Sequence, residues 1–126
     1  MPSGSTSQSS ESRMYTDLTT KFVYVAQSGE FLSQPVEVLE ANSVRADTVI
    51  SRLTGTVGKS VTYQLQGSHD LENWEDVGSS QVKAAIGAYL LTAVTVSSPY
   101  VRYRVTVGGS GGPSTEFTLG VNLSRQ

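Results

Sequence analysis

Cysteine is absent from the 126 residues, and histidine occurs once, at His69. Disulfide frameworks, thiolate zinc sites and cysteine nucleophiles are therefore excluded, and a zinc site would need carboxylates beside a single imidazole. Charge is also scarce, at 16% of residues with a formal net charge of −2. That balance is the reverse of the basic footprint needed to neutralise several phosphates, so nucleic acid is not an expected partner. No apolar run approaches the ~20 residues of a membrane span, and the N-terminus lacks the basic and then apolar pattern of a signal peptide. The expectation is a soluble, cytoplasmic chain with no membrane partner. No cofactor is expected, because no motif for one is present.

Valine, threonine and serine recur throughout, with 12 glycines, which suits strands with polar, weakly charged faces. The opening MPSGSTSQSSES carries almost no apolar side chain after Met1 and is expected to be disordered. The reading is a Ser-rich tail over residues 1–14 and one β-sandwich domain over 15–126.

From residue 21, KFVYVA reads as a strand closed by the turn QSGE. Residues 34–55 are ambiguous, since Leu39, Ala46, Val49, Ile50 and Leu53 approximate a helical stripe. Two strands account for them better: Val36 and Val38 alternate with Glu37, ANS breaks the run, and DTVISRLTG is β-branched and closed by glycine. In VTYQLQ, Val61, Tyr63 and Leu65 point to the core, while Thr62, Gln64 and Gln66 point to water. EDVGSS reads as a turn, Gly87 as a break, and YLLTAVTVSS as one strand. YVRYRVTV alternates cleanly, with Val101, Tyr103, Val105 and Val107 inward and Arg102 and Arg104 outward. GGSGGPS is expected to form a flexible hairpin loop before EFTLGVNL, whose Phe117, Leu119, Val121 and Leu123 share a face. Seven to nine such strands give an all-β fold, an antiparallel two-sheet sandwich with a jelly-roll or Ig-like path.

Candidate chemistry concentrates in QGSHDLENWED. His69 lies between Ser68 and Asp70, yet no G-x-S-x-G elbow surrounds a serine, so an exposed turn histidine is the preferred reading. Asp70, Glu72, Glu75 and Asp76 supply the hard oxygens calcium prefers, and Asp70, Glu72 and Asp76 are weak calcium candidates. They lack the D-x-D-x-D-G loop, and a solvated acidic turn is the simpler account. No acid pair is spaced to flank a cleft, and no catalytic residue is expected. Trp74, as the sole tryptophan, is expected to plug the end of the sandwich, with sugar stacking as the alternative. Trp74, Tyr89 and Tyr100 are the candidate binding residues. Tyr15 has no clear direction. Arg102 and Arg104 form a small basic patch or pair with glutamates across strands.

The turn with Gly67, Ser68, Asp70, Asn73 and Trp74, followed by the later Tyr100, Val101 and Arg102, resembles the discoidin-like (F5/8 type C) sandwich pattern. In that family a strand ends in a G-S-x-D-x-x-x-W turn and a later strand carries an aromatic-V-R element. Leu71 stands where the turn often carries glycine, and the chain is shorter than a full discoidin domain. The resemblance covers roughly residues 61–107 and implies that the asparagine and tryptophan shape the turn. The same pattern, followed by a Gly/Ser-rich loop and a closing strand, is similar to small β-sandwich proteins of tailed-phage virions, decoration and fibre-associated proteins among them. That implies a non-enzymatic structural protein that binds copies of itself or capsid proteins and is located in a virion where the chain is phage-derived. The alternative is a carbohydrate-binding module of discoidin-like type, with a glycan as partner.

Overall fold

Eleven strands and no helix are found in the computed structural model, which describes residues 19–27 and 29–125. The expected disordered tail over residues 1–14, and Tyr15, lie outside the described residues. Five strands are long: β1 (Thr19–Gln27), β4 (Ser43–Thr54), β5 (Ser60–Ser68), β10 (Tyr100–Gly108) and β11 (Ser114–Ser124). Six are short: β2 (Gly29–Leu32), β3 (Val36–Glu37), β6 (Glu75–Asp76), β7 (Gln81–Lys83), β8 (Gly87–Leu90) and β9 (Val94–Thr95).

All pairings are antiparallel, and the strands form two sheets. Sheet A runs β1-β11-β4, with β8 and β9 end to end along the far side of β4. Sheet B is centred on β10 and β5; β2 and β3 share the outer side of β10, and β6 and β7 that of β5. Counted as columns in chain order, the sheets read 1-8-3-6 and 2-7-4-5. This is the jelly-roll order, so the Ig-like alternative does not apply. Nearly every connection switches sheets, which is how a jelly roll brings its two terminal columns side by side.

The alternation read from β5, β10 and β11 holds: Val61, Tyr63, Leu65, Val101, Tyr103, Val105, Phe117, Leu119, Val121 and Leu123 are buried together with Val44, Ala46 and Ile50 of β4. The apparent helical stripe has a different origin. In β4, Ile50 lies opposite Phe117 and Arg52 opposite Glu116, so Ser51 is an extra residue, a β-bulge. The bulge leaves Ser51 and Arg52 both exposed and returns Leu53 to the core, which imitates a spacing of three. Val49 and Leu39 are exposed, the latter in a turn with φ of 59°.

Two further expectations are corrected. The run at residues 89–98 belongs to two strands, because the ladder to β4 ends at the Leu91 amide, which donates to the Ala46 carbonyl at 2.8 Å. The next amide, Thr92, donates instead to Gln81 Oε1 at 2.8 Å, at the edge of the other sheet. The GGSGGPS segment is likewise no hairpin within a sheet; it arches from β10 in sheet B to β11 in sheet A. It is tied to the β4–β5 arch by Thr56 N donating to Ser110 O at 2.9 Å and Ser110 N to Val57 O at 3.0 Å. Glycine is required at Gly109, where φ is 121° and a Cβ would stand 2.8 Å from the Lys59 backbone.

Across the core, the rings of Tyr63 and Phe117 meet edge to face at 5.9 Å, joining sheet B to sheet A. Thr48 Oγ1 donates to the Thr118 carbonyl at 2.8 Å, leaving the Tyr63 hydroxyl to donate to Thr48 at 2.9 Å. Burial pushes the Tyr63 phenol up to about 12, the hydrogen bond to Thr48 opposing, and raises Tyr103 as well. The Tyr103 hydroxyl is buried with no hydrogen-bond partner among the described residues. The two tyrosines should therefore respond oppositely to loss of the hydroxyl. Tyr63→Phe should destabilise by about 1 kcal/mol, and Tyr103→Phe should be neutral or stabilising by about 1 kcal/mol, because an unsatisfied buried hydroxyl costs more than it returns. Urea melts of both variants check this; equal losses would contradict it.

Candidate functional site

Strand alternation places Thr62, Gln64, Gln66 and Ser68 of β5 and Tyr100, Arg102, Arg104 and Thr106 of β10 on the outer face of sheet B. Here the sequence reading needs its largest correction. Gln64 and Gln66 are buried, at 8% and 6% exposure, although they face away from the core. The Gln64 carboxamide donates to the carbonyls of Val77 (3.2 Å), Gly78 (3.2 Å) and Leu65 (2.9 Å). It thereby holds the irregular stretch between β6 and β7 against β5. Gln66 Oε1 accepts from Arg102 Nε at 2.9 Å while its Nε2 donates to Asp76 Oδ1 at 2.9 Å. A charged partner on each side makes a carboxamide, with both a donor and an acceptor, the fitting group between them.

Trp74 does not plug the sandwich. It is half-buried on this outer face, with the Arg102 guanidinium carbon 4.2 Å from its ring centroid. Such stacking is worth roughly 0.5–2 kcal/mol and suits the planar guanidinium better than an ammonium. Arg102 therefore takes a glutamine and an indole as partners, where glutamates were expected. Arg104 matches the expectation, lying 3.6 Å from Glu30 and 3.6 Å from Asp76. Both pairs are solvent-exposed and contribute little to stability, but they orient the side chains. Leu32, opposite Arg104 on β2, is 43% exposed and extends the same face.

The turn below Trp74 is built from its own side chains. Ser68 Oγ accepts the amides of Asp70 and Leu71 and donates to Asp70 Oδ1. Asp70 Oδ1 also accepts the amides of Glu72 (2.9 Å) and Asn73 (2.8 Å), and Asn73 Nδ2 donates to Oδ2 at 2.7 Å. The Trp74 indole closes the turn by donating to the Leu71 carbonyl at 3.3 Å. The Asn73 amide, then the Glu72 amide, then the Asn73 side chain hold the Asp70 carboxyl well below the usual range. Leu71 sits at φ 67°, a left-handed conformation that explains why glycine suits this position.

The candidate residues are thus partly gathered. Trp74 stacks on Arg102 on the outer face of sheet B, and Tyr100 lies two residues from Arg102 on the same face of β10. Tyr89 belongs elsewhere: it packs against the core from β8, donates its hydroxyl to Ala85 O at 2.7 Å and lies under Lys83 Nζ at 5.0 Å. Asp70 is occupied by the turn and Asp76 by Gln66 and Arg104, so the calcium candidates Asp70, Glu72 and Asp76 are not brought together. Among the described residues no group of three or more His, Asp or Glu side chains is placed to hold a metal ion. His69 is exposed at the rim of a 170 Å³ cleft that Asn73, Glu75 and Ser97 also line. Gln66 and Leu32 were missed by the sequence reading; the only available signal for Gln66 was its register opposite Arg102.

No protein-family model and no curated protein matches this chain. The discoidin resemblance therefore stands on the turn and strand residues alone. Among solved structures, the PBSX exported protein XepA superimposes over 88% of this chain with a TM-score of 0.65 at 15% identity. This chain spans 38% of the length of that one. PirA aligns over 86% of this chain and 95% of its own, at 14% identity and a TM-score of 0.42. The likeness to XepA is one of fold.

Two outcomes follow for the turn. The lowered Asp70 pKa means that the folded state binds a proton more weakly than the unfolded state, so its stabilisation is complete above about pH 5 and drains away as pH falls through and below about 4. Asp70→Asn should melt lower than the wild type near neutrality and lose less on acidification; parallel pH profiles would contradict the turn's electrostatics. Leu71→Gly should relieve the left-handed backbone and leave stability unchanged or raise it by up to about 1 kcal/mol, read by thermal melting.

Proposed function

We propose that this chain is a non-enzymatic structural protein of a virion, a capsid-decoration or tail- and fibre-associated sandwich that works through protein–protein contacts. The observation that carries the reading is the outer face of sheet B. Trp, Tyr and Arg are the residue types that dominate binding energy at protein interfaces, and here Trp74, Tyr100 and Arg102 share one surface with the exposed Leu32. Arg102 is oriented in advance by Gln66, itself held by Asp76, which lowers the entropy lost when a partner binds. The fold likeness to an exported protein longer than this chain supports the picture of a sandwich used as a module.

The glycan alternative requires an aromatic face open to a sugar ring, and Arg102 already lies over one face of Trp74. A saccharide panel read by Trp74 fluorescence separates the two: a saturable change would favour the glycan module.

The direct test is to look for the chain in purified particles by mass spectrometry and immunogold labelling, then to rebind recombinant protein to stripped particles. Trp74→Ala should weaken rebinding by roughly thirtyfold, the order expected of a hot-spot residue worth about 2 kcal/mol, with the fold retained. Leu32→Glu should act in the same direction. Absence from the particles, or rebinding indifferent to both substitutions, would overturn the proposal.

A further inference from the structure

We propose that the outer edge of β1 is a second interface, and that its partner is another copy of this chain. The two β1 strands would pair antiparallel about a two-fold axis normal to sheet A, joining the two A sheets into one. The proposal rests on the assembly reading, but places self-association on a different element from the sheet B face.

The four edges of the sandwich are not alike. Three are broken along their length: β2 and β3 are separated by residues 33–35, which include Pro35, β6 and β7 by residues 77–80, and β8 and β9 by residues 91–93. Short, interrupted edges are the usual protection against strand addition. β1 has none of it. Its nine residues pair with β11 in unbroken register, and among the described residues nothing pairs on the other side. The open side is about 30 Å of backbone at the strand rise of ~3.4 Å per residue, with N–H and C=O groups directed outward at alternate residues. The sequence TTKFVYVAQ contains no proline or glycine and only one charge, Lys21.

A second copy suits this edge because the strand is compatible with itself. A two-fold centred on Val23 sets Thr19 opposite Gln27, Lys21 opposite Val25 and Phe22 opposite Tyr24, so the single charge never meets its equivalent. An axis normal to the sheet also keeps core-facing positions on the core side in both copies. Val23 and Val25 stand opposite Thr118 and Glu116 of β11, register positions that alternate with the buried Phe117 and Leu119.

Sedimentation velocity on the full chain from low to high micromolar concentration, with hydrogen exchange read on β1, tests the proposal. The expected result is a monomer–dimer equilibrium in which β1 amides become protected as the dimer forms. The double variant Val23→Lys and Val25→Lys creates like charges at three positions of the symmetric ladder and should raise the dimer dissociation constant by roughly tenfold or more. Its melting temperature and circular dichroism report whether the fold is kept, and exchange on the wild type stands independently if it is not. A monomer at every concentration would overturn the proposal. So would protection, already in the dilute monomer, of the outward-directed β1 amides that do not bond to β11, which would place residues 1–18 of the same chain on the edge. A dimer lost in Trp74→Ala but kept in the lysine variant would move self-association to sheet B, overturning this inference and leaving the assembly reading intact.

Discussion

Tyr63 reaches across the sandwich and ties its two sheets together. With no disulfide available, the sheets are held by interdigitated side chains, and Tyr63 makes a contact that is both apolar and polar. Its ring meets Phe117 edge-on, and its hydroxyl enters a chain through Thr48 to the Thr118 carbonyl. Dispersion and area burial are indifferent to small slides of one sheet over another; a hydrogen bond across the gap is not. This contact therefore helps set the stagger of the sheets, and with it the placement of the arches and turns at their ends.

From that frame the outer face of sheet B follows. β10 and β5 are central strands, so their outward side chains stand on rigid backbone, and the two glutamines turn a nominally wet surface into an ordered one. Gln64 supplies hydrogen bonds where the neighbouring strand is interrupted, and Gln66 locks Arg102 in the orientation that covers Trp74. The turn preceding Trp74 adds a second anchor, since Ser68, Asp70 and Asn73 satisfy its backbone internally and fix where the indole emerges.

Where one side chain pattern mapped onto one physical cause, the fold was legible in the sequence. β5, β10 and β11 follow strict alternation, and the Asp70 turn followed from residues that hydrogen-bond their own backbone. The misreadings arise where a residue's environment comes from a distant segment. The Ser51 bulge is defined by β11, and the break at residues 91–93 by Gln81 in the other sheet. Gln64 is buried by a stretch thirteen residues away, and Trp74 is held on the surface by Arg102. Of the candidate site, Trp74 and Tyr100 were legible as residues, but their meeting on one face required the jelly-roll path.

The contrast between the one continuous edge and the three broken ones also sets how far sheet A can be extended. Whatever adds a strand at β1, the far end of that sheet remains the column of β8 and β9, split and only partly able to accept another chain. Addition at β1 consumes the single unbroken edge among the described strands and leaves no equivalent among them. A pairing at β1 would on that account be self-terminating, closing as a pair where a second continuous edge would allow the open-ended stacking by which β-rich proteins form fibres.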